Sequence, residues 1–142
     1  MSIVLFDLDN TLSDARHRWP LITQATPDWD AFESECNMDP PILPTIQIAR
    51  YFDSWNHKVW IWTGRSDNVK GKTIQWLNHH NVPFDQLLMR PHGNHQGTAS
   101  LKESWLTTII PKDRVICAYD DDPGIVRMLL NNNVTCYQIC RP

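Results

Sequence analysis

The sequence predicts an α/β fold: a three-layer sandwich with a mainly parallel sheet between helices. Three observations support this. Apolar β-rich runs alternate with segments of helical periodicity along all 142 residues. The runs Ile3–Phe6, Val59–Trp62 and Val115–Tyr119 are almost unbroken in their hydrophobicity, as expected of strands covered on both faces. Each run also ends in a polar cluster: Asp7-Leu8-Asp9-Asn10-Thr11, Thr63-Gly64-Arg65-Ser66 and Asp120-Asp121-Asp122. Open parallel sheets bind ligands at the carboxyl ends of their strands, and right-handed crossovers bring those ends to one edge.

The first strand is the organising element. Packing gains nothing from two carboxylates spaced i, i+2 at the end of a buried strand. One carboxylate can attack phosphorus while its neighbour exchanges a proton with the leaving group and then with water. A phosphate meeting two anions requires a hard cation, and oxygen donors favour Mg²⁺. After Thr11, Ser13-Asp14 is a start signal for a short helix through Arg16, His17 and Arg18 that Pro20 ends. Thr26-Pro27-Asp28 opens a second helix, with Trp29, Phe32 and Cys36 at helical spacing. Asp39-Pro40-Pro41 then makes a stiff connector. Residues 13–41 are thus expected to form a small helical lid, in which Arg16, Arg18, Trp19 and Trp29 are the side chains able to meet a phosphate or a base.

Leu43, Ile46, Ala49, Arg50 and Trp55 give a helix over residues 42–56, leading into the second strand and Thr63-Gly64-Arg65. There a threonine hydroxyl, backbone amides and a guanidinium can hold phosphoryl oxygens. Helix 67–80 stops at Asn81-Val82-Pro83. The adjacent His79 and His80 point about 100° apart and make no metal pair. A short strand, Gln86–Met89, precedes the polar loop from Arg90 to Gly97, and a helix follows from Leu101 to Ile109, started by Thr98 or Ser100. Lys102 in its first turn opposes the helix dipole, a small cost that favours a functional role. After the strand Val115–Tyr119, consecutive carboxylates repel unless a cation is shared. A helix Ile125–Leu130 and a strand Val134–Ile139 close the chain.

The totals are restrictive. A length of 142 residues suits one domain with a real core. A formal net charge of −3 argues against a basic nucleic-acid-coating surface, though not against a local basic groove. No C-x-x-C spacing offers a zinc site. Cys117, Cys136 and Cys140 lie in apolar runs and read as buried free thiols. Most of the seven tryptophans are expected to pack in the core or the cap. No leader-like or membrane-length apolar segment is visible, so the expectation is a cytoplasmic protein with no membrane association and no obligate protein partner.

Four motifs now stand in order: Asp7/Asp9/Thr11, Thr63-Gly64-Arg65, Lys102 and Asp120-Asp121. Together they resemble the haloacid-dehalogenase superfamily of phosphotransferases, whose first motif reads Asp-x-Asp-x-Thr and whose sheet is Rossmann-like. The end Leu88-Met89-Arg90, the glycine-containing polar loop, Leu101-Lys102-Glu103 and the closing Asn133–Ile139 resemble the 3'-phosphatase domain of phage-type polynucleotide kinases, without the kinase half. The resemblance implies that Asp7 is the nucleophile, Asp9 the acid/base, and Thr63 and Lys102 the holders of the transferred phosphoryl group. It places Thr11, Gly64, Arg65 and Arg90 on the substrate side. It implies Mg²⁺ held by Asp7, the Asp9 carbonyl and one or both of Asp120 and Asp121. The expected substrate is a phosphorylated nucleic-acid end or a nucleotide.

Two departures bear on substrate. Gln96 occupies a loop position where the family usually has Arg, which leaves room for a mononucleotide or another small phosphate ester. Asn10 stands where many members have Gly, and fits if the turn keeps φ negative or if Asn adopts the left-handed region. Beside the 3'-phosphatase reading stand a 5'-nucleotidase or small-metabolite phosphatase and, outside enzymes, a phosphoacceptor signalling domain of the response-regulator type.

Overall fold

A computed structural model describes residues 1–142. Five parallel strands form one sheet: β1 (Ile3–Phe6), β2 (Lys58–Ser66), β3 (Gln86–Arg90), β4 (Val115–Asp120) and β5 (Cys136–Gln138). Their spatial order is β3-β2-β1-β4-β5, with β1 at the centre. Six helices accompany them: α1 (Pro20–Thr23), α2 (Trp29–Ser34), α3 (Leu43–Ser54), α4 (Lys70–His79), α5 (Thr98–Thr108) and α6 (Pro123–Asn131).

The unbroken apolar run of β1 is explained by two cores. Strand residues alternate between faces. Ile3 and Leu5 join Trp62, Leu101, Leu106 and Leu129 on the side of α5 and α6. Val4 and Phe6 join Val59, Ile61, Ile46 and Leu77 on the side of α3 and α4. All four β1 residues are fully buried. The three-layer α/β expectation holds. No helix is long and apolar enough to cross a membrane.

Several boundaries differ from the sequence reading. Pro20 begins α1 instead of ending a helix; Arg16–Arg18 form only a 3-10 turn before it. Proline lacks an amide proton, which the first helical residue does not need, so the same residue that blocks a helix interior can open one. β2 runs on through Ser66 because its last residues pair with β3 across a register shift: Thr63 faces Met89, then Ser66 faces Arg90. α5 starts at Thr98, which puts Lys102 on its fifth residue, past the first turn, and removes the dipole argument made for it. β5 is only three residues long. Cys140 is exposed and Cys136 half-buried, so only Cys117 of the three is a buried thiol. Among the tryptophans, Trp62, Trp76 and Trp105 are buried, whereas Trp19, Trp29 and Trp55 are exposed.

Residues 13–41 leave the sheet between β1 and α3 and carry α1, α2 and a second 3-10 turn, Cys36–Met38. Asp28 caps α2 by accepting from the Ala31 amide at 3.0 Å. Ser13 and Pro41 bridge the two ends of the insertion.

Candidate active site

Three adjacent strand ends build the site. Asp7 follows the central β1, and its amide donates to the Tyr119 carbonyl at 3.0 Å, prolonging the pairing with β4. Asp120 ends β4, and Thr63 lies on β2. Side chains from all three face a cleft of about 720 Å³ lined mostly by polar residue types. The chain then turns at Asn10, which takes φ of 65° in the left-handed region.

Lys102 crosses beneath this edge from α5. It is buried, and its Nζ donates to Asp7 Oδ1 and Asp120 Oδ2, both at 2.8 Å. Its Nζ also lies 5.2 Å from the centre of the Trp62 ring, close enough for a cation–π contribution. Burial acts to discharge the amine, but Asp7 and Asp120 outweigh it and hold its pKa above the ordinary lysine value. The other Asp7 oxygen, Oδ2, accepts from Thr11 Oγ1 at 3.1 Å. Thr11 also lies 3.4 Å from Asp121 Oδ1 and is itself fully buried, a tether below the floor of the cleft.

One lysine does not balance three carboxylates. Oxygens of Asp7, Asp120 and Asp121 all lie within 4.8 Å of one another. Burial, then the charge of Asp7, push the Asp120 carboxyl up to about 7 even though Lys102 opposes the shift. The same two causes push Asp121 up to about 8. Hard oxygen donors with this charge excess suit a divalent cation such as Mg²⁺. The Asp9 carboxylate is not in this group. Asp122 is separate too: its side chain caps α6, accepting from the Gly124 amide at 2.7 Å. The acidic triplet therefore splits into two site residues and one helix cap.

Asp9 turns away from Asp7 into a second ionic cluster. Its Oδ1 accepts from Arg18 Nη2 at 2.7 Å and from Arg65 Nη2. Its Oδ2 meets only Arg65 Nε, at 3.4 Å, and is the freer oxygen. Burial acts to raise the Asp9 pKa, but the two guanidiniums outweigh it and leave the group below the usual carboxylate value. Asp39 closes the cluster, accepting from Arg18 Nε at 2.8 Å and Arg18 Nη2 at 2.7 Å. Arg65 is further fixed by donating to Thr73 Oγ1 on α4 at 3.0 Å. Arg18, Arg65 and Asp39 are all buried.

The remaining expected residues are placed as follows. Thr63 Oγ1 accepts from the Arg65 amide at 3.1 Å, which leaves its hydroxyl proton to donate into the cleft. A Cβ on Gly64 would stand 2.9 Å from two side-chain atoms of Thr98, so only glycine fits without displacing that threonine. Arg90 lines the cleft, but protein acceptors hold its guanidinium. It donates to the Gly64 carbonyl at 2.7 Å, to Thr98 Oγ1 at 3.0 Å, to Asn94 Oδ1 at 3.2 Å and to the Gln96 carbonyl. Gln96 lines the same cleft and donates from its side chain to Ser100 Oγ at 2.7 Å. Sequence reasoning missed Asp39, read as part of a connector, and placed Arg18 among ligand-facing lid residues. No local signal pairs two residues 21 apart across irregular chain.

The family described as the polynucleotide kinase PNKP phosphatase domain matches residues 1–141. No curated protein matches the chain. A solved Pnkp1/Rnl/Hen1 RNA repair complex contains a chain that is 25% identical, with a TM-score of 0.79 over 97% of this chain and 42% of that one. The present chain thus spans less than half of that relative. More distant structures share the fold. The class C acid phosphatase from Bacillus anthracis is 14% identical, with a TM-score of 0.66 over 93% of this chain and 61% of that one. The D,D-heptose 1,7-bisphosphate phosphatase from B. bronchiseptica, solved with magnesium and phosphate, is 12% identical, with a TM-score of 0.60 over 97% and 80%. Asp7, Thr63, Lys102 and Asp120 line one cleft, and the chain belongs to the haloacid-dehalogenase-type phosphatases, in the family of the polynucleotide kinase PNKP phosphatase domain.

Proposed function

We propose that this protein is a Mg²⁺-dependent phosphomonoesterase that forms an aspartyl-phosphate on Asp7 and removes 3'-phosphates from nucleic-acid ends or nucleotides. The observation that carries the reading is the setting of Asp7. It lies on the cleft, one oxygen held by Lys102 and the other by Thr11, with the Asp120 and Asp121 carboxylates beside it. Membership in a phosphatase family supports the class of reaction.

Asp7, Asp120 and Asp121 would hold the cation, which supplies charge neutralisation where the phosphate meets the carboxylates. Asp7 attacks phosphorus, forming the Asp7 O–P bond as the ester O–P bond breaks. The leaving oxygen takes a proton from Asp9, which must first take one up from solvent because Arg18 and Arg65 favour its carboxylate form. In the second half Asp9, again a carboxylate, takes a proton from water. The water oxygen bonds to phosphorus, the Asp7 O–P bond breaks, and phosphate leaves. Lys102 and the Thr63 hydroxyl stabilise charge on the phosphoryl oxygens. With Oδ1 of Asp9 anchored by Arg18 and Arg65, its Oδ2 is the oxygen suited to proton exchange. Arg65 then acts through Asp9 as a positioning residue, and Arg90 acts by bracing the 94–98 loop against Gly64. Residues 13–41 serve as a minimal cap, supported by Trp29, Asp30, Phe32 and Glu33 along the cleft.

A 5'-mononucleotide or another small phosphate ester is the second reading. It is favoured by the carboxylates Asp30 and Glu33 on the cap wall, which repel a polyanion, and by Gln96 in the facing loop. Phosphate release with Mg²⁺ separates the readings when a 3'-phosphorylated oligonucleotide, a 3'-mononucleotide and a 5'-mononucleotide are compared. The leading reading expects the 3'-esters to be preferred, with the oligonucleotide at least equal to the mononucleotide. Release from the 5'-ester alone would contradict it.

A further inference from the structure

Trp29 opens α2 at the mouth of the cleft, and 58% of its surface is exposed. The indole belongs to none of the three core clusters. It lines the cleft that holds Asp7 and also a shallower neighbouring groove walled by Gln24, Thr26 and Asp28, so it forms the ridge between them. Leaving so large an apolar ring in water forgoes burial that would stabilise the fold.

The ring is nevertheless held in place. Phe32 meets it edge-on, with centroids 5.7 Å apart and planes at 81°. The Arg18 guanidinium stands 4.4 Å over the Phe32 ring, and the same guanidinium is bonded to Asp9 and Asp39. An exposed indole is thus braced, through one aromatic ring and one buried cation, on a residue of the site. The surrounding charge narrows what can meet it. Asp30 and Glu33 share its wall, whereas the facing loop lines the cleft with His92 and His95, and its one carboxylate neighbour, Asp67, is taken up by the His92 amide at 2.9 Å. A phosphodiester backbone is repelled from the Trp29 wall, but an uncharged planar ring is not.

We propose that Trp29 is the stacking platform for the base of the nucleoside whose phosphate is removed, and that it selects nucleoside esters over small phosphate esters. This rests on the phosphatase reading above. Every base has a π-face, so the platform is tolerant of sequence. With the base on Trp29, the backbone of a longer strand leaves along the His92–Gln96 side.

Two readouts test the platform. In the first, kcat/KM is measured for a 3'-mononucleotide and for glycerol phosphate. The ratio of the two falls about tenfold or more in Trp29→Ala, in line with losing one base-stacking contact, and is largely restored in Trp29→Phe. An unchanged ratio, or an equal loss on both esters, overturns the proposal, since a purely structural role would move both alike. The second readout needs no turnover. A 3'-phosphorylated oligonucleotide carrying a fluorescent adenine analogue at its terminal position is titrated into Asp7→Asn. Stacking quenches the analogue, and Trp29→Ala in the same background abolishes the quench; a persisting quench overturns the platform. If the wild-type protein releases phosphate from neither ester, the phosphatase reading fails, and the quench still decides the fate of Trp29.

Discussion

Asp7 and Asp9 are two residues apart and belong to ionic clusters of opposite character. Around Asp9 the charges balance: Arg18 and Arg65 face Asp9 and Asp39, every member is hydrogen-bonded, and three of the four are buried. Around Asp7 they do not: Lys102 alone faces Asp7 and Asp120, and Asp121 stands within reach of the same point. Buried charge is tolerable when paired and costly when in excess. The balanced cluster therefore reads as a fixture that holds the cap to the sheet and aims Asp9. The unbalanced one stores repulsion that, on the proposed reading, a cation and a phosphoryl group would relieve.

The largest expected effect comes from the unbalanced side. Asp7→Asn is expected to lower kcat by about 10⁴-fold or more, because a carboxamide cannot take the nucleophile's place. Its melting temperature should equal or exceed that of the wild type, since one of the repelling charges is gone. Phosphate release and thermal melting on the same preparation check both halves.

Next comes the balanced side. Asp39→Ala leaves Arg18 buried with Asp9 as its only carboxylate partner, and is expected to cost about 3–5 kcal/mol in denaturant unfolding. A loss no larger than that of an exposed pair would show the clusters to be alike.

The third effect is a pH dependence. Asp120 at about 7 and Asp121 at about 8 lie above the ordinary carboxylate value, so without metal the folded chain binds more protons than the unfolded one between about pH 4 and these values. Their contribution to stability is largest on the acid side of that window and falls as pH rises through it. Mg²⁺ must displace those protons at low pH, with affinity falling up to about tenfold per pH unit for each proton displaced. The stabilisation by Mg²⁺ should therefore be greater at pH 8 than at pH 6, read as the shift in melting temperature. An equal shift at both would mean the triad does not hold the ion.

The smallest effect is a control outside both clusters. Lys58 pairs with Asp85 at 3.3 Å while 44% of its side chain is exposed. Lys58→Ala is expected to change stability by no more than about 0.5 kcal/mol.

How much of this was legible in the sequence follows the same division. The unbalanced cluster was readable because each member sits at a strand end or on a helix defined by local pattern, and because acidic residues ending apolar strands have no packing rationale. Lys102 was found even though the reason given for it, a place in the first helical turn, was wrong; Asp7 and Asp120 hold its charge instead. The balanced cluster was half-hidden. Asp39 precedes two prolines and reads as a turn residue, and only the tertiary path of the insertion brings it to Arg18. Pro20 and the extension of β2 through Ser66 were missed because proline position and strand pairing depend on partners that a single segment does not reveal.

The central claim, that Asp7 carries the phosphoryl group, is tested most directly by trapping it. A 3'-phosphorylated oligonucleotide with a radiolabelled terminal phosphate is mixed with the protein and Mg²⁺ and quenched in acid within the first turnover. The account predicts label on the wild-type chain, released by hydroxylamine as an acyl phosphate is, and none on Asp7→Asn. Phosphate release by the wild type with no label on the chain at any quench time, or label retained on Asp7→Asn, would contradict it.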